Sequence, residues 1–348
     1  MKKIKNISGI THFSLTELLG PALILIVFSC LIGFSSASLM LTVQLALCYF
    51  VMVLALQVFV GNSGVLSFGH GAFAMLGAFV SGLLTAPVRI KNNALSMTDL
   101  LQSIADIQVN LYLSLLIAAI VGGVVAGITG VFLMRLNGLA AGIATFALLG
   151  VAYNFFFNNT KFGPGSQALP GVPKFQNLFI PLLLALLALV LVYLLNVSSI
   201  GRTLRATRED NLAAPALGIN IIRVRRIAFA LSGALAGLAG AMYSHVAGTV
   251  QVQDYYLGFT FLTLSMLVIG GSGSIWGALV GTLLVISVGQ VLLMMEQGKA
   301  IFGLSIDLPN GARAIFIAAT LVVALLWRSS GVTNGKEFAF PNFKKKSN

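Results

Sequence analysis

Of the chain's 348 residues, 58% are hydrophobic and only 9% are charged, whereas soluble domains carry about 25% charge. Too few charges remain to cover a water-soluble surface, and the apolar residues come in unbroken runs such as Leu178 to Leu195, long enough for a hydrocarbon core of roughly 30 Å. The formal net charge of +12 would suggest a nucleic-acid partner in a soluble protein; here it holds loops on the cytoplasmic side of a membrane, so nucleic acid is excluded and lipid is the surrounding solvent.

The predicted class is an all-α integral membrane protein. Residues 1–17 form a cytoplasmic N-terminal segment in which Lys2, Lys3 and Lys5 precede the first apolar run, as in an uncleaved signal anchor. Ten spans are predicted: Leu18–Ser36, Leu39–Val60, Gly64–Ala86, Leu111–Met134, Leu139–Phe157, Leu178–Val197, Ile227–Gly248, Leu257–Gly271, Ile275–Met295 and Ala312–Trp327. They make a transmembrane domain over residues 18–327, and residues 328–348 follow as a basic cytoplasmic tail. Cys30 and Cys48 fall inside apolar runs, where neither is placed for an extracellular disulfide or a metal site.

Charge tests the count. With the N-terminus inside and ten crossings, Lys2, Lys3, Lys5, Arg135, the six basic residues from Arg202 to Arg226, Arg328, Lys336 and Lys344 to Lys346 lie inside. Those fifteen face only six outside: Arg89, Lys91, Lys161, Lys174, Lys299 and Arg313. The bias obeys the positive-inside rule and sets both termini in the cytoplasm. Ten spans also divide into two halves of five, which would relate any internal repeat by inversion. Gly61-Asn62-Ser63-Gly64 and Gly270-Gly271-Ser272-Gly273-Ser274 are its faint markers.

Within the spans, Gly123-x-x-x-Gly127, Gly233-x-x-x-Gly237 and Gly277-x-x-x-Gly281 put small residues one turn apart, the pattern that lets helices approach closely in lipid. The third span contains Ser67-Phe68-Gly69-His70-Gly71. A polar ring there needs a partner, so Ser67, Gly69 and His70 are candidates for a translocation pathway, or His70 for a hydrogen bond pinning two helices. Gly61-Asn62-Ser63-Gly64 also fits the Gly-x-Ser-Gly pattern of intramembrane serine proteases, with His245 as the base. The nine acidic residues all sit in loops or at span ends, which argues against a pump coupled to an intramembrane charge. No phosphate-binding Gly-x-x-x-x-Gly-Lys-Ser/Thr occurs.

The longest cytoplasmic loop, residues 198–226, is the feature with the most order. Arg202, Arg205 and Arg208 recur every three residues and would share one side of a helix. Leu204, Ala213, Ala214 and Leu217 supply a small apolar face, and Gly218 would end the segment. Such a helix suits docking into a partner's groove. Gly201-Arg202-x-x-Arg205-Ala206-x-Arg208-Glu209-Asp210 with Ala213-Ala214-x-x-x-Gly218-Ile219-Asn220 resembles the ATPase-contacting loop of LivM-type permease subunits of branched-chain amino acid ABC importers. Leu66 to Phe73, Ala228 to Tyr243 and Ile269 to Gly277 are similar to the same family, in the expected order. The loop departs from the pattern at Leu212, where Glu would stand, and at Pro215, which breaks the helix at Ala214 or restarts it.

That resemblance implies Gly201, Arg202, Arg205, Arg208, Glu209, Asp210, Ala213, Ala214, Leu217 and Gly218 as the coupling site. It also implies a second homologous permease subunit, two ATP-binding-cassette ATPase subunits and an extracytoplasmic solute-binding protein. ATP and magnesium would bind on the ATPases, with no cofactor on this chain, in a prokaryotic cytoplasmic (inner) membrane. The solute expected is a branched-chain amino acid, with urea, amides, nucleosides or sugars as alternatives.

Overall fold

The computed structural model describes residues 15–33, 36–94, 107–159, 164–211 and 213–298, with isolated positions between 309 and 337. The described chain is helical almost throughout. Helix α1 (Leu15–Gly33) leads to α2 (Ala37–Leu56), which is capped by Ser36 Oγ accepting the Leu39 N–H at 3.3 Å and runs on into a π-helical turn, Gln57–Gly61. Next come α3 (His70–Thr85), α4 (Val88–Ala94), α5 (Leu111–Leu133) and α6 (Gly138–Asn158). After the two-residue strand β1 (Leu169–Pro170) follow α7 (Phe179–Val197), α8 (Ser199–Glu209), α9 (Ala213–Ala216) and α10 (Ile221–Ala247). Strand β2 (Thr249–Val250), a 3-10 turn (Val252–Tyr255), α11 (Leu257–Gly270) and α12 (Ile275–Glu296) complete the order.

Seven of these helices are long and apolar enough to cross a membrane, and two shorter apolar ones, Glu17–Gly33 and His70–Thr85, stand beside them. The predicted tenth span, Ala312–Trp327, lies mostly outside the described residues. Two predicted boundaries move. The third span begins at His70 rather than Gly64, because Gly64 takes a left-handed φ of +71° and residues 64–68 run as irregular chain. Irregular backbone at membrane depth must find protein partners; here Val65 N–H donates to Ser63 Oγ (3.1 Å) and Phe68 N–H to Thr145 Oγ1 (3.2 Å). The seventh span begins at Ile221 rather than Ile227, because Asn220 Oδ1 accepts the Arg223 N–H at 3.0 Å and starts the helix early. Arg223, Arg225 and Arg226 therefore belong to α10, not to a loop.

Helix α10 is central and packs on α5, α3 and α2. Small residues make this contact close. A Cβ added to Gly122 would sit 2.7 Å from Gly233 O, and one added to Gly237 would sit 2.6 Å from Ala118 O. The Gly233/Gly237 pair of α10 thus meets Ala118, Gly122 and Ala126 of α5, the Gly123/Gly127 pair of α5 meets Ala230 and Ala234 of α10, and Gly277 and Gly281 of α12 meet α11. The periphery is apolar in rows: Leu183, Leu187, Leu191 and Leu194 of α7 are all exposed, as a lipid-facing stripe requires. At one end of the bundle β1 pairs antiparallel with β2, Leu169 opposite Val250. At the other end residues 331–335 and Glu337 dock on the α11–α12 turn: Val332 N–H donates to Ile269 O (2.8 Å), and the Glu337 carboxylate accepts the Ile275 and Trp276 N–H groups (2.7 and 3.3 Å). A carboxylate there meets the positive end of α12.

Candidate coupling face and translocation residues

Ser198 starts α8, its Oγ accepting the Gly201 N–H at 3.3 Å. The three arginines do share one side of this helix, and although Arg202 and Arg208 stay exposed, all three guanidiniums reach back to oxygens of the permease body. Arg202 donates to Val197 O at 2.7 Å. Arg205 reaches Asn62 Oδ1 at 3.1 Å and Asn196 O at 2.7 Å, and Arg208 donates to Gly61 O. Asn62 in turn donates to Asn196 Oδ1 (2.9 Å) and Val58 O (3.1 Å), and Asn196 reaches Gln57 Oε1 at 3.5 Å. Buried amides at the ends of α2 and α7 thus receive the guanidinium, which satisfies polar atoms that would otherwise be orphaned. Burial, with Arg202 beside it, lowers the pKa of Arg205, while Glu337 and Glu17 act the other way. Both ends of the described chain therefore lie near α8. Burial also pushes the Glu337 carboxyl up to about 7, against the pull of its two backbone hydrogen bonds and of Arg205.

The docking segment is two helices, not one. Helix α8 ends at Glu209; Asp210 Oδ1 then accepts the Ala213 N–H at 2.9 Å and starts α9. Pro215 is tolerated because it stands in the first turn, where its missing N–H has no helical partner to lose. Gly218 N–H bonds Pro215 O (2.9 Å) and Ile219 N–H bonds Ala214 O (3.3 Å), a Schellman closure with Gly218 at φ +77°. Leu204 and Ala214 of the expected apolar face are buried against the bundle, whereas Leu217 is 79% exposed. Glu209, Asp210 and Ala213 are exposed with it, and Gly201 is buried against Leu195 and Asn196.

Among the pathway candidates, His70 is fully enclosed. Ser232 donates to Phe229 O (2.9 Å), so it accepts from His70 Nε2 at 2.9 Å, and His70 Nδ1 accepts from Ser67 Oγ at 3.1 Å. Phe59, Phe73 and Phe229 surround the ring. This joins α3 to α10, the pinning role. Gly69 sits against Thr145 of α6. The serine-protease pairing is not assembled. Ser63 lines a cavity with Arg225 near the start of α10, while His245 lies twenty residues further along that helix, roughly 30 Å away. His245 Nδ1 donates to Pro173 O (2.7 Å), and its Nε2 is 2.8 Å from Ser81 Oγ.

The residues that sequence reasoning passed over are polar amides. Asn62 and Asn196 receive Arg205, Gln57 accepts from Asn196, and Asn137 and Asn211 flank Arg225 at 2.5 and 3.0 Å. Their signal was available: amides at the ends of apolar runs need partners, and three arginines lay in one short segment.

An apolar helical bundle with a small-residue core and a helix pair anchored across one end is built as an integral membrane protein. Comparison with known proteins sharpens that class. The family described as branched-chain amino acid transport system / permease component matches residues 38–325, and the chain belongs to it. Its relatives include the high-affinity branched-chain amino acid transport system permease protein LivM of Escherichia coli, 23% identical over 322 residues, which cover 83% of this chain and 68% of that one. The "Probable branched-chain amino acid transport permease protein LivM" of Methanocaldococcus jannaschii is 25% identical over 86% of this chain and 94% of its own. The autoinducer 2 import system permease protein LsrC of Salmonella typhi is 27% identical over 52% of this chain and 55% of that one. No solved structure matches the chain.

Proposed function

We propose that this chain forms the translocation path of an inner-membrane ABC importer for branched-chain amino acids, and that α8 and α9 receive its ATPases. The family match over residues 38–325 carries the reading, and the LivM relatives support the solute class. On this reading the α8–α9 end faces the cytoplasm with both chain termini, as the distribution of Lys and Arg requires. Ten spans, arranged as two inverted halves of five, remain our topology. A second, homologous permease, two ATPases carrying ATP and magnesium, and an extracytoplasmic solute-binding protein complete the importer.

Coupling needs a surface that is rigid toward the permease and exposed toward the partner. The arginines supply the first property, and Leu217 with Glu209, Asp210 and Ala213 the second. We assign His70 with Ser67 to helix pinning. The LsrC relatives, named for autoinducer 2 import, favour one alternative solute, autoinducer 2. Reconstituting the chain with its operon's permease, ATPases and binding protein, then measuring ATP-dependent uptake of leucine, tests the reading. ATP-dependent uptake of autoinducer 2 and not of leucine would transfer the importer to the alternative.

A further inference from the structure

A cavity of about 720 Å³ opens at the α8–α9 end of the bundle, lined by Arg208, Arg225 and Ser63 on one side and Leu139, Ile143 and Phe146 of α6 on the other. Among the described residues no acidic side chain lines it. Arg225 is 2% exposed and, among those residues, its hydrogen bonds go to the neutral amides Asn137 and Asn211 while its Nε has no partner. A guanidinium offers five donors, and a buried cation without an anionic partner is costly. The cavity therefore has an unfilled demand for an anion.

A second observation comes from α6 itself. Leu139, Ile143, Phe146, Asn154 and Asn158 are exposed on one arc of this helix. Among the described residues each Asn donates to the carbonyl four residues back in its own helix (2.9 and 3.1 Å) and to no other, so each amide oxygen is left to the surroundings. Amides of that kind do not suit hydrocarbon, unlike the wholly apolar stripe on α7. The arc runs from these amides down to the cationic cavity.

We propose that this arc of α6 is the wall of the water-filled solute path, and that the cavity is its cytoplasmic exit, where Arg208 and Arg225 receive a solute carboxylate. This rests on the importer reading and narrows it to carboxylate-bearing solutes. Arg225 and Arg208 bond Asn211 and Gly61, residues of the α8–α9 segment and of the turn beneath it, so the exit is built from the same parts as the coupling element. Passage also requires loose binding, which suits guanidiniums already sharing their donors with amides.

The test uses the reconstituted importer with Cys30 and Cys48 replaced by Ser, and cysteine placed singly at Ile143, Asn154 or, as a lipid-facing control, Leu187. Small charged methanethiosulfonates should modify Ile143→Cys and Asn154→Cys but spare Leu187→Cys. At Ile143→Cys the anionic sulfonate reagent should react about tenfold faster than the neutral one, relative to their rates with free thiol, with the cationic reagent slower still. Arg225→Gln should abolish that preference; should it not fold, Arg208→Gln should reduce it. Protection of Ile143→Cys and Asn154→Cys to the level of Leu187→Cys would mean lipid or protein covers the arc and would overturn the proposal. Equal rates for all three reagents, or a preference unchanged by the arginine variant that folds, would overturn the carboxylate assignment. Charge-selective labelling without leucine uptake by the cysteine-free parent would instead fault the solute reading and leave the path in place.

Discussion

Two substitutions in the docking segment separate anchoring from coupling. Arg205→Ala removes two charge-assisted hydrogen bonds, 3.1 Å to Asn62 Oδ1 and 2.7 Å to Asn196 O. Such bonds contribute about 1.5–3 kcal/mol each when buried. Arg205 is partly exposed, so solvent screening reduces the pair to about 2–4 kcal/mol. Leu217→Ser removes a side chain that is 79% exposed and touches little of its own chain, so stability should shift by no more than about 0.5 kcal/mol. In a partner's groove, however, a buried leucine contributes roughly 1.5–3 kcal/mol, about 10- to 100-fold in affinity. Thermal melts of the purified chain should therefore drop clearly for Arg205→Ala and stay unchanged for Leu217→Ser. ATPase co-purification should be lost in Leu217→Ser and only partly reduced in Arg205→Ala. Normal co-purification and normal solute-stimulated ATP hydrolysis in Leu217→Ser would refute α9 as the docking element.

Gly218→Val forces a β-branched residue into the left-handed region at φ +77° with open space around its Cβ, so strain alone, about 1–2 kcal/mol, should unwind α9; an unaltered ATPase response would count against the Schellman closure as a fixed part of the interface. Ser232→Ala leaves His70 Nε2–H unpaired and should lower the melting point by an amount equivalent to about 1–2 kcal/mol; unchanged stability with altered uptake would return His70 to the pathway. The Glu337 carboxyl is raised from 4.5 to about 7, so the docked state holds its proton more tightly than the released state. Docking of residues 331–335 and Glu337 should be strongest below about pH 4.5 and weaken as pH rises through about 7. A nitroxide at Val332→Cys should gain mobility across that window, and Glu337→Gln should flatten the response. Tags at Lys345 and inside Arg202–Arg226 should report the cytoplasm and one at Ser166 the outside; an external 202–226 segment would defeat the topology and the coupling site together.

Apolar runs and small-residue spacing made the fold largely legible, because a bilayer imposes length and close approach on any helix that crosses it. The spacing of Gly233 and Gly237 marked a close helix contact before any coordinates, without saying which helix meets them. Boundaries moved where a single residue competed with hydropathy: Asn220 starts α10 within a basic run that hydropathy assigns to the loop, and Gly64 delays α3 within a run it assigns to the span.

The helical order of the 199–218 segment was legible, but the acceptors its arginines reach were not. Spacing of three placed Arg202, Arg205 and Arg208 on one side of a helix, but periodicity cannot say whether that side meets water, a partner or the same chain. The deciding residues lie 134 to 147 positions away from their partners, in the Gly61-Asn62 turn and at Asn196. An arginine needs acceptors, and Asn62 and Asn196 are amides at the ends of apolar helices that need partners of their own. Each demand on its own has many solutions; together, at the same end of the bundle, they converge on one. The same reasoning reverses the role given to the charges. Because Arg205 is engaged by the permease body, the apolar surface left to bind a partner is the short, capped α9 with Leu217 exposed. A helix of four residues holds its geometry only through Asp210 at its start and Gly218 at its end, so recognition rests on the caps as much as on the contact.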